Sequence, residues 1–90
     1  MSASQPSNGG RSRLLLLVRE GCDLCEALQL ELLDLGQVLS LPPLELADVD
    51  SDPDWQRRYG LKIPVLLWDD QPIATTRLDQ AEIRRLFRPR

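Results

Sequence analysis

The chain has 90 residues, of which 42% are hydrophobic and 28% charged, and its formal net charge is −3. This length suits one domain with a single modest core, and the acidic balance argues against nucleic-acid binding. The longest apolar run, 14–18, is too short for a membrane span or a signal sequence. We therefore predict a cytoplasmic protein that binds neither nucleic acid nor membrane.

The first 12 residues are small and polar, so we expect a disordered tail at 1–12 and one folded domain at 13–90. Residues 14–18 form a continuous apolar run, which is typical of a strand buried on both faces. A turn with Cys22 and Cys25 follows, and then a helix that reaches about Leu35 and ends at Gly36. The apolar face of this helix is predicted to hold Leu24, Ala27, Leu28, Leu32 and Leu35.

The second half of the chain predicts two further strands, a short helix and a closing helix. A strand at 44–49 precedes a helix at 54–59 that Asp52 caps. A hairpin pairs strands at 63–68 and 72–76, and Asp79 caps the last helix. The order β-α-β-α-β-β-α indicates an α/β fold, a four-stranded mixed sheet flanked by three helices, with the first two strands parallel.

Cys22 and Cys25 form a C-x-x-C motif between a buried strand and a helix. Thiol–disulfide exchange needs a thiolate, and a helix N-terminus favours one through its free N–H groups and positive dipole end. The second sulfur lies one helical turn further on, where it can resolve a mixed disulfide. The sequence thus predicts that Cys22 is the more exposed nucleophile and Cys25 the more buried resolving residue.

Charges near the motif act in both directions. Arg19 precedes Cys22 by three residues and favours its thiolate, whereas Glu20, Asp23 and Glu26 oppose it. An exposed pair of charges is worth about 1 kcal/mol or less, while a helix N-terminus can have a larger effect. We therefore expect the Cys22 thiol to ionise somewhat more readily than a free cysteine.

A C-x-x-C motif also has other interpretations. The chain has no His and no third Cys, so a zinc site within one chain would need carboxylate ligands; a dimer could instead bring four thiolates around a metal. Two unreactive core cysteines and a chance spacing are further alternatives. We predict no metal in the monomer, and we keep a metal-bridged dimer as the less favoured alternative.

Three stretches resemble one known family. Residues 19–25 (REGCDLC), 49–52 (VDSD) and 59–65 (YGLKIPV) are similar to glutaredoxins, and more closely to a group of short glutaredoxin-like proteins of the thioredoxin superfamily. The resemblance covers about residues 13–88. It implies the thioredoxin fold in its glutaredoxin-like form.

The resemblance also implies substrate-binding roles. It implies a cis peptide bond between Ile63 and Pro64 that faces the cysteines, with the Ile63 backbone free to pair with a bound peptide or glutathione. Arg19 matches a basic residue that holds glutathione in this family. The turn before the last helix matches a further glutathione contact at Asp79, although Arg77 and Leu78 replace the usual glycine and small polar pair.

These observations predict a dithiol–disulfide oxidoreductase that reduces disulfides through a mixed-disulfide intermediate. It needs no bound cofactor, and glutathione is one candidate reductant. The expected partner of this monomer is a disulfide-containing protein or glutathione. A thioredoxin-fold binding module without catalytic turnover is the alternative.

Overall fold

The computed structural model describes residues 12–90, so the predicted tail at 1–12 lies outside the described residues except for Ser12. Between residues 12 and 90 the chain forms four strands, three helices and one short 3-10 turn. These are β1 Leu14–Val18, α1 Asp23–Leu35, β2 Leu44–Asp48, the 3-10 turn Val49–Ser51, α2 Pro53–Tyr59, β3 Val65–Trp68, β4 Gln71–Thr75 and α3 Gln80–Leu86. The predicted order of elements is confirmed.

The four strands form one mixed sheet in the order β2-β1-β3-β4. β1 is parallel to β2 and antiparallel to β3, and β3 and β4 form an antiparallel hairpin. Because β1 has a neighbour on each side and helices on each face, its first four residues are all buried. This position explains why its sequence is continuously apolar instead of alternating.

The two faces of the sheet carry separate hydrophobic clusters. Leu14 and Leu16 point to the face covered by α1 and α3, where they pack with residues such as Leu28 and Ile83. The opposite face is covered by α2, and its cluster has five buried members: Leu15, Leu17, Val49, Val65 and Leu67. Because successive side chains of β1 point to opposite faces and are apolar on both, each face of the sheet needs a helix to cover it.

The buried face of α1 differs from the predicted one. Leu24 is 48% exposed and Ala27 is also exposed, so their predicted burial is wrong. The helix instead buries Cys25, Leu28, Leu32 and Leu35. Each residue turns the helix by about 100°, so the face that starts at Cys25 leaves Leu24 on the solvent side.

Several predicted ends of elements are shifted by one or two residues. β2 ends at Asp48, because the Asp48 carboxylate accepts a hydrogen bond from the Asp50 N–H at 2.8 Å and turns the chain. β3 begins at Val65, since Pro64 offers no N–H to the sheet. Asp52 caps α2 as predicted, accepting hydrogen bonds from the backbone N–H groups of Asp54 and Trp55.

The hairpin turn between β3 and β4 has two residues. Asp69 and Asp70 have φ values of 50° and 71°, the left-handed pair that joins tight antiparallel strands. Of the helices formed by residues 12–90, none combines the length and apolar character needed to cross a membrane.

Candidate functional site

The sheet register brings four chain segments to one edge. Val18 at the end of β1 pairs with Asp48 at the end of β2. Leu17 pairs with Val65 at the start of β3, and Val65 pairs with Thr75 at the end of β4. The loops that follow β1, β2 and β4, and the loop that precedes β3, therefore leave the sheet on the same side.

Cys22 and Cys25 lie at this edge, at the start of α1. Their sulfurs are at disulfide distance and their Cα atoms are 5.2 Å apart. Cys22 is the N-cap of α1 and its Sγ accepts a hydrogen bond from the Cys25 backbone N–H at 3.1 Å. Cys22 is partly exposed, whereas Cys25 is only 3% exposed. Cys22 is thus the more exposed residue of the pair and Cys25 the more buried one, as the sequence predicts.

The local backbone explains this placement. Gly21 has φ of 75°, a left-handed conformation that glycine adopts at little cost. It turns the chain from β1 into α1, so that Cys22 caps the helix. The first turn of α1 carries the negative charges of Asp23 and Glu26 and no cation. The N–H groups of the helix favour a thiolate at Cys22, and these carboxylates oppose it.

Arg19, the predicted cation of the site, is held by other parts of the protein. Its Nε and Nη2 donate to the two carboxylate oxygens of Asp50, both at 2.8 Å, and its Nη1 donates to the Gly60 carbonyl at 3.1 Å. Gln56 donates to the same Asp50 carboxylate at 3.1 Å. We call this group of Arg19, Asp50, Gln56 and Gly60 the Arg19 clamp.

The Arg19 clamp joins three segments at the site edge: the loop after β1, the turn after β2, and the end of α2. Gly60 is close-packed there, since a Cβ atom on it would lie 2.5 Å from the Gln56 carbonyl oxygen. The hydrogen bonds from Arg19, helped by Gln56, hold the pKa of the Asp50 carboxyl below its usual value despite some desolvation. The same pairing raises the pKa of Arg19, so both groups are charged at neutral pH.

The loop before β3 contains the second predicted feature of the site. The Ile63–Pro64 peptide bond is cis, and Pro64 is buried. The Pro64 carbonyl accepts a hydrogen bond from the Thr76 N–H at 2.7 Å, and the Lys62 carbonyl accepts one from Thr76 Oγ1 at 3.2 Å. Within residues 12–90, the backbone N–H and C=O groups of Ile63 make no hydrogen bond.

Thr76 begins the turn before the last helix, the region 76–79 that the resemblance matches to a glutathione contact. Its φ is 69°, a left-handed conformation that is strained for a β-branched residue. The predicted strand through 76 is therefore wrong at its last residue: β4 ends at Thr75, and Thr76 bonds the loop before β3 instead. The sequence predicts a turn before the last helix, but without a glycine here it does not predict the left-handed backbone at Thr76.

Asp79 acts as the predicted cap of α3. Its carboxylate accepts hydrogen bonds from the N–H groups of Ala81 at 3.0 Å and Glu82 at 3.3 Å. The structure thus assigns both contacts of this carboxylate to the helix. Across the part of the chain that the structure describes, no three Cys, Asp or Glu side chains group together as metal ligands.

Comparisons with known proteins bear on the family and the fold of this chain. The sequence profile of the family described as Glutaredoxin-like domain (DUF836) matches residues 13–88. The fold is similar to the solution NMR structure of protein Ne2328 from Nitrosomonas europaea, with a TM-score of 0.75. The two are 27% identical in sequence, and the match covers 87% of this chain and 93% of that one. A search of curated proteins found no match. The chain belongs to the glutaredoxin-like domain family, as the resemblance in its sequence implies.

Proposed function

We propose that this protein is a thiol–disulfide oxidoreductase in which Cys22 and Cys25 form the redox pair. The observation that carries the proposal is the pairing of a partly exposed sulfur at a helix N-cap with a buried sulfur one turn deeper. Membership of the glutaredoxin-like family supports it. In such a pair only the outer sulfur can meet a large substrate.

The reaction would start from the reduced protein. The Cys22 thiolate attacks one sulfur of the substrate disulfide, which forms a Cys22–substrate disulfide and expels the other substrate sulfur as a thiolate that takes up a proton. Cys25 then loses its proton and attacks Cys22 Sγ, which closes the Cys22–Cys25 disulfide and releases the second substrate thiol. The substrate gains two electrons and the cysteine pair loses two. An external thiol reductant restores the dithiol.

The helix N-terminus and the loop before β3 would contribute in different ways. The Cys25 N–H, which donates to Cys22 Sγ, is placed to stabilise a thiolate on Cys22. Ile63 lies just before β3, at the same end of the sheet as the cysteines. An extended peptide could pair with its free N–H and C=O groups as an added strand. In this proposal Cys22 and Cys25 are catalytic, and Ile63 and Pro64 shape the substrate contact.

Variants of each cysteine test this function. Reduction should add two hydrogen atoms to the intact protein, and mild oxidation should remove them. Cys22→Ser should abolish the reduction of insulin disulfides. Cys25→Ser should keep the first step and accumulate a mixed disulfide that mass spectrometry detects on Cys22.

Two outcomes would contradict the proposal. One is a protein that forms no reversible Cys22–Cys25 bridge under mild oxidation. The other is a Cys22→Ser variant that keeps its reductase activity. If Cys22→Ser instead retains the binding of a partner and the wild type shows no turnover, the binding module is the better description.

A further inference from the structure

The Arg19 clamp bears on which disulfides the site accepts. We propose that Asp50 determines substrate class: by holding Arg19, it directs the Cys22–Cys25 pair to protein disulfides and away from glutathione disulfide. This inference rests on the proposed oxidoreductase function and adds a specificity-determining residue to it.

The first argument concerns the donors and charge of Arg19. Three of its N–H groups are already used, two by Asp50 and one by the Gly60 carbonyl. Asp50 also balances its charge at a distance of 2.8 Å. A carboxylate of glutathione brought to the remaining edge of the guanidinium would lie next to the Asp50 carboxylate, and the two negative charges would repel each other.

The second argument concerns the charges around the exposed sulfur. With Arg19 neutralised by Asp50, the charged residues nearest to Cys22 in the chain are Glu20, Asp23 and Glu26, all negative. Glutathione carries more carboxylates than ammonium groups, so its disulfide is an anion at neutral pH. Charges of one sign slow the approach of a like-charged ligand and favour neutral or basic ones.

The third argument concerns what the site offers to a protein. The Ile63 backbone groups can pair with a main chain of any sequence and require no cation. A shallow groove of about 310 Å³ opens beside Arg19, and it is lined by the apolar Val18, Leu46 and Ala47 and by the charged Arg19, Glu20 and Asp48. Leu46 is 49% exposed. This groove, with both apolar and charged walls, lies at the same end of the sheet as the Ile63 loop but on the other side of β1. Contacts spread over that end of the sheet suit a polypeptide that extends on both sides of its disulfide.

The test compares three disulfides on the fully reduced protein. They are insulin, glutathione disulfide, and the ester of glutathione disulfide in which the carboxylates are uncharged. We expect the wild type to react with the ester at least as fast as with glutathione disulfide, and to prefer insulin. Asp50→Ala should raise the rate for glutathione disulfide relative to its ester by about two- to fivefold, the upper part of the range expected for one exposed ion pair.

Two controls separate the release of Arg19 from other effects. Asp54→Ala also removes one carboxylate, and it frees Arg57 and Arg58, with which Asp54 pairs. It should leave the rate for glutathione disulfide relative to its ester unchanged. The double variant Arg19→Gln/Asp50→Ala should return the rate for glutathione disulfide, relative to its ester, to the wild-type value. Circular dichroism confirms that each variant is folded at the assay temperature. If Asp50→Ala does not fold, Arg19→Gln alone must keep the rate for glutathione disulfide, relative to its ester, within about twofold of the wild type. The reason is that an Arg19 already paired with Asp50 contributes little to binding glutathione.

The proposal is overturned if the wild type prefers glutathione disulfide to its ester. It is also overturned if the gain in Asp50→Ala persists without Arg19. Lys62 is an exposed cation beside Ile63, so a strong reaction of the wild type with glutathione disulfide that Lys62→Gln abolishes would overturn the proposal as well. A protein that reacts with none of the three disulfides, and behaves like Cys22→Ser, would instead refute the oxidoreductase function itself.

Discussion

Asp79 allows a direct test of a structural role against a binding role. Its carboxylate accepts hydrogen bonds from the N–H groups of Ala81 and Glu82 at the start of α3. That helix is short, and it places the buried Ile83 against the sheet. Loss of the cap in Asp79→Ala should therefore reduce the free energy of unfolding by about 1 kcal/mol, within a range of roughly 0.5–2.

The effect is large enough to measure. For a domain of this size, a loss of about 1 kcal/mol lowers the urea midpoint by roughly 0.5–1 M and the melting temperature by roughly 4–8 °C. Asp79→Ser keeps an oxygen that can cap the helix and should stay within about 0.5 kcal/mol of the wild type. Asp52→Ala, which removes the cap of α2, is a matched comparison at another helix.

The variants Asp79→Ala and Asp79→Ser also decide whether Asp79 binds glutathione. If the carboxylate serves only the helix, Asp79→Ser should react with glutathione disulfide at the wild-type rate. A loss of more than about fivefold in a variant that remains fully stable would show that the carboxylate contacts the ligand. A change below about 0.3 kcal/mol in Asp79→Ala would refute the capping argument, because the two hydrogen bonds would then contribute little.

Three further predictions concern the core, the Arg19 clamp and the reactive sulfur. Leu16→Ala, at a fully buried position, should lower the free energy of unfolding in urea by about 3 kcal/mol; a loss under 1 kcal/mol would contradict its central packing. The pKa of Asp50 is lower in the folded than in the unfolded chain, so its contribution is present above the unfolded value of about 3.9 and is lost as pH falls through the lower folded value. The stability advantage of the wild type over Asp50→Asn should therefore shrink as the pH falls below the unfolded pKa, and an advantage that grows in acid would refute this. Alkylation of Cys22 by iodoacetamide should reach half its maximal rate below about pH 8.5, the value for a free cysteine; a midpoint at or above that pH would contradict thiolate stabilisation by the helix.

Much of the fold follows from local sequence signals. The continuous leucines of β1 predict a central strand, and the aspartates at 52 and 79 predict two helix starts that the structure contains. The C-x-x-C spacing at a helix start also predicts which sulfur is buried, because Cys25 lies on the same helix face as Leu28. Each signal acts within a few residues, so no knowledge of the tertiary structure is needed.

The parts that the sequence did not predict depend on contacts between distant segments. Arg19 and Asp50 are 31 residues apart, and they meet only because the parallel register places Val18 beside Asp48. A lone arginine before a cysteine therefore suggested a cation available to substrate, whereas the fold gives that cation a partner. Thr76 shows the same limit, since its left-handed backbone follows from its hydrogen bond to the Pro64 carbonyl.

The two outer strands of the sheet guard against self-association in different ways. β4 carries Pro72, which has no N–H to offer to an incoming strand. β2 presents the exposed Leu46 close to the carboxylate of Asp48 and to Glu45, which pairs with Arg13, so charged side chains flank the apolar residue. Asp48→Ala would remove one of these charges and leave Pro72 unchanged, so an incoming strand would then pair with β2 more easily than with β4.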